Sequence, residues 1–276
     1  MLVLGIETAT RVGSVGLVRA AVNGAAARHA EPGRIAEGAT VLAETTRDTG
    51  LGHGSELLPL IDECLAAAGS ALEEVGCVAV SLGPGSFTGL RVALATAKGL
   101  SLAGGTALVG VPTLAALAAT VLSGWGGDGP SSEPGTIVAP CLDARKGEVY
   151  GAMFRVRDAL WLEALPRLER TSDDAAFSPV AFREALEARA ADGRPIFLLG
   201  DGGARYPGEI AEPLAGRARV LSFEVRPPSG SAVARAGAGI LASRGSDDRA
   251  TLVPRYARAS EAEIMRDQRG GVAAPR

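Results

Sequence analysis

The sequence predicts an α/β protein of two similar lobes built on mixed β-sheets. Three observations predict it. The first is a repeat: Leu2–Ile6 and Thr136–Leu142 both read as buried strands, and each ends on an acid, Glu7 or Asp143. A short turn and a returning strand follow each acid, Val12–Val18 in one case and Glu148–Val156 in the other. The second is that strand–helix units come after each hairpin, a pattern that adds parallel strands to a sheet begun antiparallel. The third is size. With 276 residues, 47% of them apolar, the chain can bury two lobes or one bilobed core. Aromatics are only 4%, so that core is built from Ala, Val and Leu.

Taken in order, residues 20–40 hold Asn23-Gly24, a hairpin signal, and Val41–Glu44 reads as a third strand. Ser55 can cap a helix to about Ala68, with Pro59 in its first turn, where a missing N–H costs little. Val75–Ser81 is a strand that enters the tight loop Gly83-Pro84-Gly85-Ser86, and a helix runs from Ser86, its N-cap, to Ala103. Thr106–Val111 is a strand, and Pro112–Ser123 a helix opened by proline. Gly124–Gly135 has the composition of a flexible insertion. A β segment is expected near Leu160–Leu165, a helix at Pro179–Ala191, strands at Pro195–Leu199 and Val220–Phe223, and an Ala-rich helix from Ser229. The expected division is an N-terminal lobe over 1–105, completed by a C-terminal helix in 229–264, a second lobe over 106–228, and a disordered tail over 265–276.

The charge balance excludes some functions. Net charge is −3, without the basic excess of a protein that grips nucleic acid by its phosphates. Cys64, Cys77 and Cys141 are scattered and form no CxxC pair, the pattern of reduced cytoplasmic thiols. The opening MLVLGIETAT has no basic region and is broken by Glu7, so it reads as a strand and not a signal peptide. No membrane span is expected. The only histidines are His29 and His53, there is no HExxH, and the nearest match to GxSxG, Gly99–Ala103, falls inside a helix.

Three features carry chemistry in their residue types. Gly83, Gly85 and Ser86 open a helix, where free amides and the helix dipole can hold an anion. The same loop can equally be a tight turn, since Thr88 stands where a dinucleotide fingerprint has its third glycine and no Gly-Lys-Ser/Thr follows. Glu7 and Asp143 end strands at matching turns and can either hold Mg²⁺ between the lobes or cap those turns. In the helix after the loop, Gly89, Ala93 and Ala97 recur every four residues and share a face without bulk. That face either covers the sheet or receives a partner's helix.

The ordered set IETAT, HGSELLPLI, GPGSFTGLRVALATAKGLSLA, GVPTLAALA, CLDARKGEVY, LLGDGG and Pro254-Arg255-Tyr256-Ala257-Arg258 resembles the TsaB (YeaZ) family. These are dimerisation subunits of the bacterial tRNA threonylcarbamoyladenosine machinery. The likeness runs from Leu2 to about Glu263. It implies the actin/sugar-kinase/Hsp70-like fold, with two ribonuclease H-like lobes of duplicated topology. It implies a non-catalytic scaffold in the cytoplasm that pairs with the threonylcarbamoyltransferase TsaD, joined by the ATPase TsaE, and that meets tRNA only indirectly. Alone, the chain would pair with itself. Pairing would use the helices 55–68 and 86–103, through Leu57, Leu58, Ile61, Leu65, Phe87, Gly89, Leu90, Ala93 and Ala97. Where TsaD carries a metal-binding HxxxH, this chain has Thr113 and Leu117, so no metal and no catalytic residue are expected. The first-strand acid, usually aspartate in the family, is Glu7, which moves the carboxylate out by about 1.5 Å. Glu7, Gly83, Gly85, Ser86, Asp143, Gly200, Asp201 and Gly202 remain candidates for a weak nucleotide contact, with ATP or ADP at the joint with the partner. The rival reading is a phosphotransferase or ATPase of the same fold. A metallopeptidase reading follows only from the glycoprotease label given to such proteins.

Overall fold

The computed structural model describes residues 1–20, 39–48, 50, 53–121, 134–157, 168–221 and 228–257. The Asn23-Gly24 signal, His29, nearly all of the 124–135 insertion, the segment 160–165 and the tail 265–276 lie outside the described residues.

The first sheet has the order β3-β2-β1-β4-β5. Its strands are β1 (Leu2–Glu7), β2 (Val12–Arg19), β3 (Thr40–Asp48), β4 (Val75–Ser81) and β5 (Ala107–Val111). β1 and β2 form an antiparallel hairpin with Glu7 opposite Ser14, β3 adds to β2 antiparallel, and β4 and β5 add to β1 in parallel. The second sheet repeats this order as β10-β7-β6-β11-β12. Its strands are β6 (Ile137–Arg145), β7 (Glu148–Gly151), β10 (Ala175–Phe177), β11 (Ile196–Leu199) and β12 (Ala218–Leu221). The hairpin is again antiparallel and the last two strands again parallel. This is the duplicated, two-lobed arrangement that the resemblance implies.

The stretch expected as one strand, Glu148–Val156, is two. β7 ends at Gly151, and β8 (Phe154–Val156) leaves the main path to pair with β6 and with β9 (Leu168–Arg170). The break sits at Ala152-Met153: the Ala152 N–H still reaches the Pro140 carbonyl of β6 (3.3 Å), but the Met153 N–H donates to Ser172 Oγ (2.9 Å) and its carbonyl accepts the Thr171 N–H (2.8 Å).

Each sheet is sandwiched by helices, and the period of two along the strands decides which side chain meets which helix. Leu4 and Ile6 of β1 face α1 (His53–Ala67) and α2 (Phe87–Gly104), whereas Val3 faces α6 (Gly230–Arg244). In the second lobe α3 (Thr113–Ala119) packs with Val138, Leu142 and Leu199, and α4 (Pro179–Arg189) with Ile137, Ala139 and Leu198. α3 and α6 touch, so the two sheets meet through these inner helices.

The approach of α6 to the first sheet is unusually close. A Cβ on Gly16 would lie 2.2 Å from the Ser231 nitrogen, and one on Gly5 would lie 2.0 Å from the Gly230 oxygen. The Ala-rich helix expected over Ser229–Ala242 stops at Arg244, where Gly245 takes φ +84°; of the wider 229–264 span, residues 258–264 lie outside the described residues. The chain then runs along the outer edge of β5. Asp247 donates its N–H to the Leu108 carbonyl (2.8 Å) and accepts from the Gly110 N–H (2.8 Å), which closes that edge. Farther on, the Arg255 N–H binds the Leu82 carbonyl (2.7 Å) and carries the strap to the start of α2.

Candidate functional site

Glu7 ends β1 and is only 2% exposed. Its Oε1 accepts the Ala9 N–H at 2.6 Å. Burial pushes its carboxyl up from the ordinary 4.5 to about 7, against the pull of the hydrogen bond from Ala9. The neighbouring Ser81 hydroxyl is buried and completes no hydrogen bond of normal geometry.

The glycine loop closes over this turn. The Gly83 N–H donates to Thr113 Oγ1 (2.9 Å), the Ser86 N–H to the Ala9 carbonyl (2.6 Å), and the Gly89 N–H to Ser86 Oγ (3.2 Å). Thr8 Oγ1 donates to the Gly89 carbonyl at 2.9 Å. The Gly83, Ser86 and Gly89 amides are therefore engaged inside the protein. Gly83 is required by its φ of +108° and by the Arg255 carbonyl, 2.5 Å from where a Cβ would stand. Gly85 presses on Ala9. Of the two readings of Gly83, Gly85 and Ser86, these contacts favour the tight turn that aims α2 over the phosphate cradle.

The cavity touching Glu7 is lined by Thr10, Thr113, Ala116, Leu117, Leu142 and Ser229, and holds about 10 Å³. That is room for about one water. Its wall reaches Leu142 and not Asp143, so Glu7 and Asp143 do not share one space. Each acid instead accepts the N–H two residues on, from Ala9 and from Arg145, which is the turn-capping alternative.

Asp143 and Asp201 do come together. The Asp143 N–H donates to Asp201 Oδ1 (2.9 Å), and Asp143 Oδ1 accepts from the Arg145 N–H (2.8 Å). Arg145 and Arg205 stand 3.8 and 3.9 Å from the Asp143 carboxylate. Burial raises the Asp201 carboxyl, and the Asp143 charge adds to that. Gly200 and Gly202 lie against Cys141, whose carbonyl is 2.5 Å from a Cβ at 200. These glycines let the turn after β11 pack on β6. Among the described residues, no three His, Cys, Asp or Glu side chains are placed to share a metal ion.

A further carboxylate was not marked by any sequence motif. Glu44, on β3, sits at the N-terminus of α6. It accepts from Ser229 Oγ (2.7 Å), the Ser231 N–H (2.9 Å), Ser231 Oγ and Ser14 Oγ (both 3.2 Å). Burial raises its carboxyl while these donors pull it down. An internal acid thus occupies the helix end where an external anion would bind. The signal available in sequence is Ser-Gly-Ser before an Ala-rich helix, and it does not name the acid that answers it.

The helices α1 and α2 lie side by side on the first lobe. Their inner faces correct the expected interface. Leu57, Ile61, Leu65, Leu90, Ala93 and Ala97 are buried, most of them in one core with β1, β2 and β4, and Gly89 is buried beneath Thr8. The small-residue stripe serves the sheet, because a helix without bulk there can lie close on the strands. Leu58 and Phe87 stay outside, 56% and 43% exposed, and Leu102 joins them at 72%. Between Phe87 and Leu102 the outer stripe of α2 runs through exposed Ala95 and Gly99, and a Cβ on Gly99 would meet nothing within 4 Å.

A model of the family "TsaD: tRNA N6-adenosine threonylcarbamoyltransferase" matches residues 47–172. The protein of Escherichia coli (strain K12) named tRNA threonylcarbamoyladenosine biosynthesis protein TsaB is 34% identical over 110 residues, 40% of this chain and 44% of that relative. The TsaB of Bacillus subtilis (strain 168) is 26% identical over 224 residues, 81% of this chain and 87% of its own length. The chain is thus similar to proteins named TsaB (YeaZ). The match thus spans less than half of the Escherichia coli TsaB and most of the Bacillus subtilis one. A solved Pseudomonas aeruginosa protein described as similar to peptidase YEAZ shares the fold, with a TM-score of 0.68 at 24% identity over 93% of this chain and 99% of that one. At the positions where TsaD is expected to hold its metal, this chain has Thr113, which accepts the Gly83 N–H, and Leu117, packed in the second-lobe core. No helix among the described residues is long and apolar enough to cross a membrane.

Proposed function

We propose that this chain serves tRNA threonylcarbamoyladenosine biosynthesis as a non-catalytic subunit that pairs with the threonylcarbamoyltransferase TsaD. The observation that carries this reading is the outer face of α1 and α2, where Leu58, Phe87 and Leu102 are exposed around the small Ala95 and Gly99. Two adjacent helices with apolar projections and a low central stripe suit packing against a second helix pair. The closed space at Glu7 supports the non-catalytic part, since it has no volume for a nucleotide. ATP or ADP, where it takes part, belongs at the joint with the partner or with the ATPase TsaE, and in the absence of TsaD the same face joins two copies of this chain.

The test is threonylcarbamoyl transfer to tRNA by purified TsaD and TsaE, with and without this chain. Transfer is expected to depend on it, and Leu102→Glu is expected to abolish pairing in size-exclusion light scattering while the melting temperature of the isolated chain stays unchanged. Transfer that is equal without the chain overturns the reading. Calorimetry with ATP and Mg²⁺ tests the phosphotransferase alternative: tight binding with turnover by the isolated chain would establish it.

A further inference from the structure

A second cavity, of about 450 Å³, lies away from Glu7. Three parts of the chain meet there: Pro84 of the glycine loop with Pro112 before α3, the turn between β9 and β10 with Arg170, Asp173 and Asp174, and the C-terminal strap with Arg255 and Tyr256. Its volume falls in the ordinary range of small-ligand sites.

The walls and rim have distinct chemistry. Two proline rings and the Tyr256 ring are flat and largely apolar. Tyr256 is fixed in place, its ring centroid 5.2 Å from that of Phe87 and its hydroxyl accepting Arg91 Nε at 3.1 Å, with the Arg91 guanidinium 3.7 Å over the Phe87 ring. Arg170 is also held. Its Nη1 donates to Asp174 (2.6 Å) and to the Ser172 carbonyl (3.3 Å), and its guanidinium lies 4.7 Å over Phe154. Those bonds leave its Nη2 and Nε donors unused among the described residues. Arg255 is anchored by its backbone to Leu82, and its exposed guanidinium makes no hydrogen bond among the described residues, though its charge helps hold the Asp247 carboxyl down. The exposed carboxylate of Asp173 likewise makes no hydrogen bond among the described residues.

We propose that this cavity binds one nucleotide unit. The phosphate sits on Arg255 and the open side of Arg170, where charge-assisted bonds are strongest. The base lies against the proline and tyrosine rings, and Asp173 accepts from an exocyclic amino group or a hydroxyl. An aliphatic ligand would strip water from Asp173 without giving it a donor, and a cationic one would face two guanidinia. A nucleotide supplies the anion, the flat face and the donor together. The unit comes either from a free mononucleotide or from an unpaired residue of an RNA. This goes beyond the pairing with TsaD and does not depend on it.

The experiment uses the full chain. Anisotropy of a short, labelled, unstructured RNA is titrated, and AMP is titrated separately by calorimetry. Arg255→Ala is expected to weaken binding by about tenfold or more, the loss of one charged hydrogen-bonding partner. Arg219→Ala, on the edge strand β12 outside the cavity, is expected to leave it unchanged. Thermal melts check that both variants fold. RNA binding that Arg255→Ala weakens assigns the cavity to an RNA residue, and AMP binding weakened in the same way without RNA binding assigns it to a free nucleotide. If neither probe binds, or if Arg255→Ala and Tyr256→Leu both leave binding intact, the proposal is overturned.

Discussion

The two lobes share one strand order and one acid at one place in it, yet the acids live in opposite conditions. Glu7 ends β1 under the glycine loop, the start of α2 and α3, and its oxygen turns inward to the Ala9 N–H. Asp143 lies two residues before the end of β6, beside Arg145, Arg205 and Tyr206. Topology was duplicated and the surroundings were not. The first lobe has a long helix arriving on its acid, and the second has only the four-residue α5 (Gly202–Arg205) near its own. An acid at a strand end therefore says little about chemistry until the next loop is known. The difference extends to the helices. In the first lobe α6 is held by a half-buried carboxylate with four donors, whereas α4 of the second lobe is capped by a single serine.

The largest expected effect follows from that last contrast. Glu44→Ala leaves Ser14, Ser229 and Ser231 without their common acceptor, and should cost about 2–4 kcal/mol in urea unfolding. Ser178→Ala, at the cap of α4, should cost only about 1 kcal/mol. Next comes Glu7. A carboxyl whose folded value, about 7, lies above its ordinary 4.5 favours the fold below pH 4.5 and loses that contribution as pH rises through 7. Glu7→Gln removes the charge that is costly to bury and should stabilise the protein by up to about 3 kcal/mol at pH 8. The gain should shrink toward pH 5. Asp143→Asn, at the matching position, should move stability by less than about 1 kcal/mol. A flat pH profile for the Glu7→Gln difference would show that its carboxyl is not buried as described. Ala93→Leu separates the two faces of α2. Ala93 is fully buried against the sheet, so overpacking there should cost about 1–3 kcal/mol of fold stability. If the variant instead keeps its melting temperature and loses pairing, the inner and outer faces have been exchanged.

Much of the fold was legible because it is local. The Leu2–Ile6 and Thr136–Leu142 runs announce buried strands, Ser86 announces the helix it caps, and the repeated strand–acid–turn–strand pattern gave the second lobe from the first. Less was legible where partners are distant in the chain. Glu44 meets Ser229 across 185 positions, and no periodicity reports such a contact. The side of α2 that faces the sheet was misjudged for a related reason. Gly89, Ala93 and Ala97 do form a low face, but low faces suit a sheet as well as a partner, and only the positions of β1 and β4 decide between them. Leu102 was missed because it lies near the end of the helix, eight residues beyond Leu94, with nothing in its neighbours to mark it as outward. The β9–β10 excursion was illegible because its strands are three residues long, too short to show alternation.

The return of residues 230–257 to the first lobe has a consequence for how the protein is made. β1 to β5 leave a ribosome early, but the face that α6 covers, with Val3, Val18, Cys77, Ala79, Val109 and Val111, stays bare until residue 244 has emerged. The edge of β5 stays unpaired until Asp247 arrives. The second lobe, whose two covering helices lie close to its strands in the chain, can close first. Vectorial synthesis is thus inverted: the lobe translated first is the one completed last. A nascent chain arrested before residue 230 would expose an apolar sheet face and an open strand edge together, the surfaces that chaperones bind.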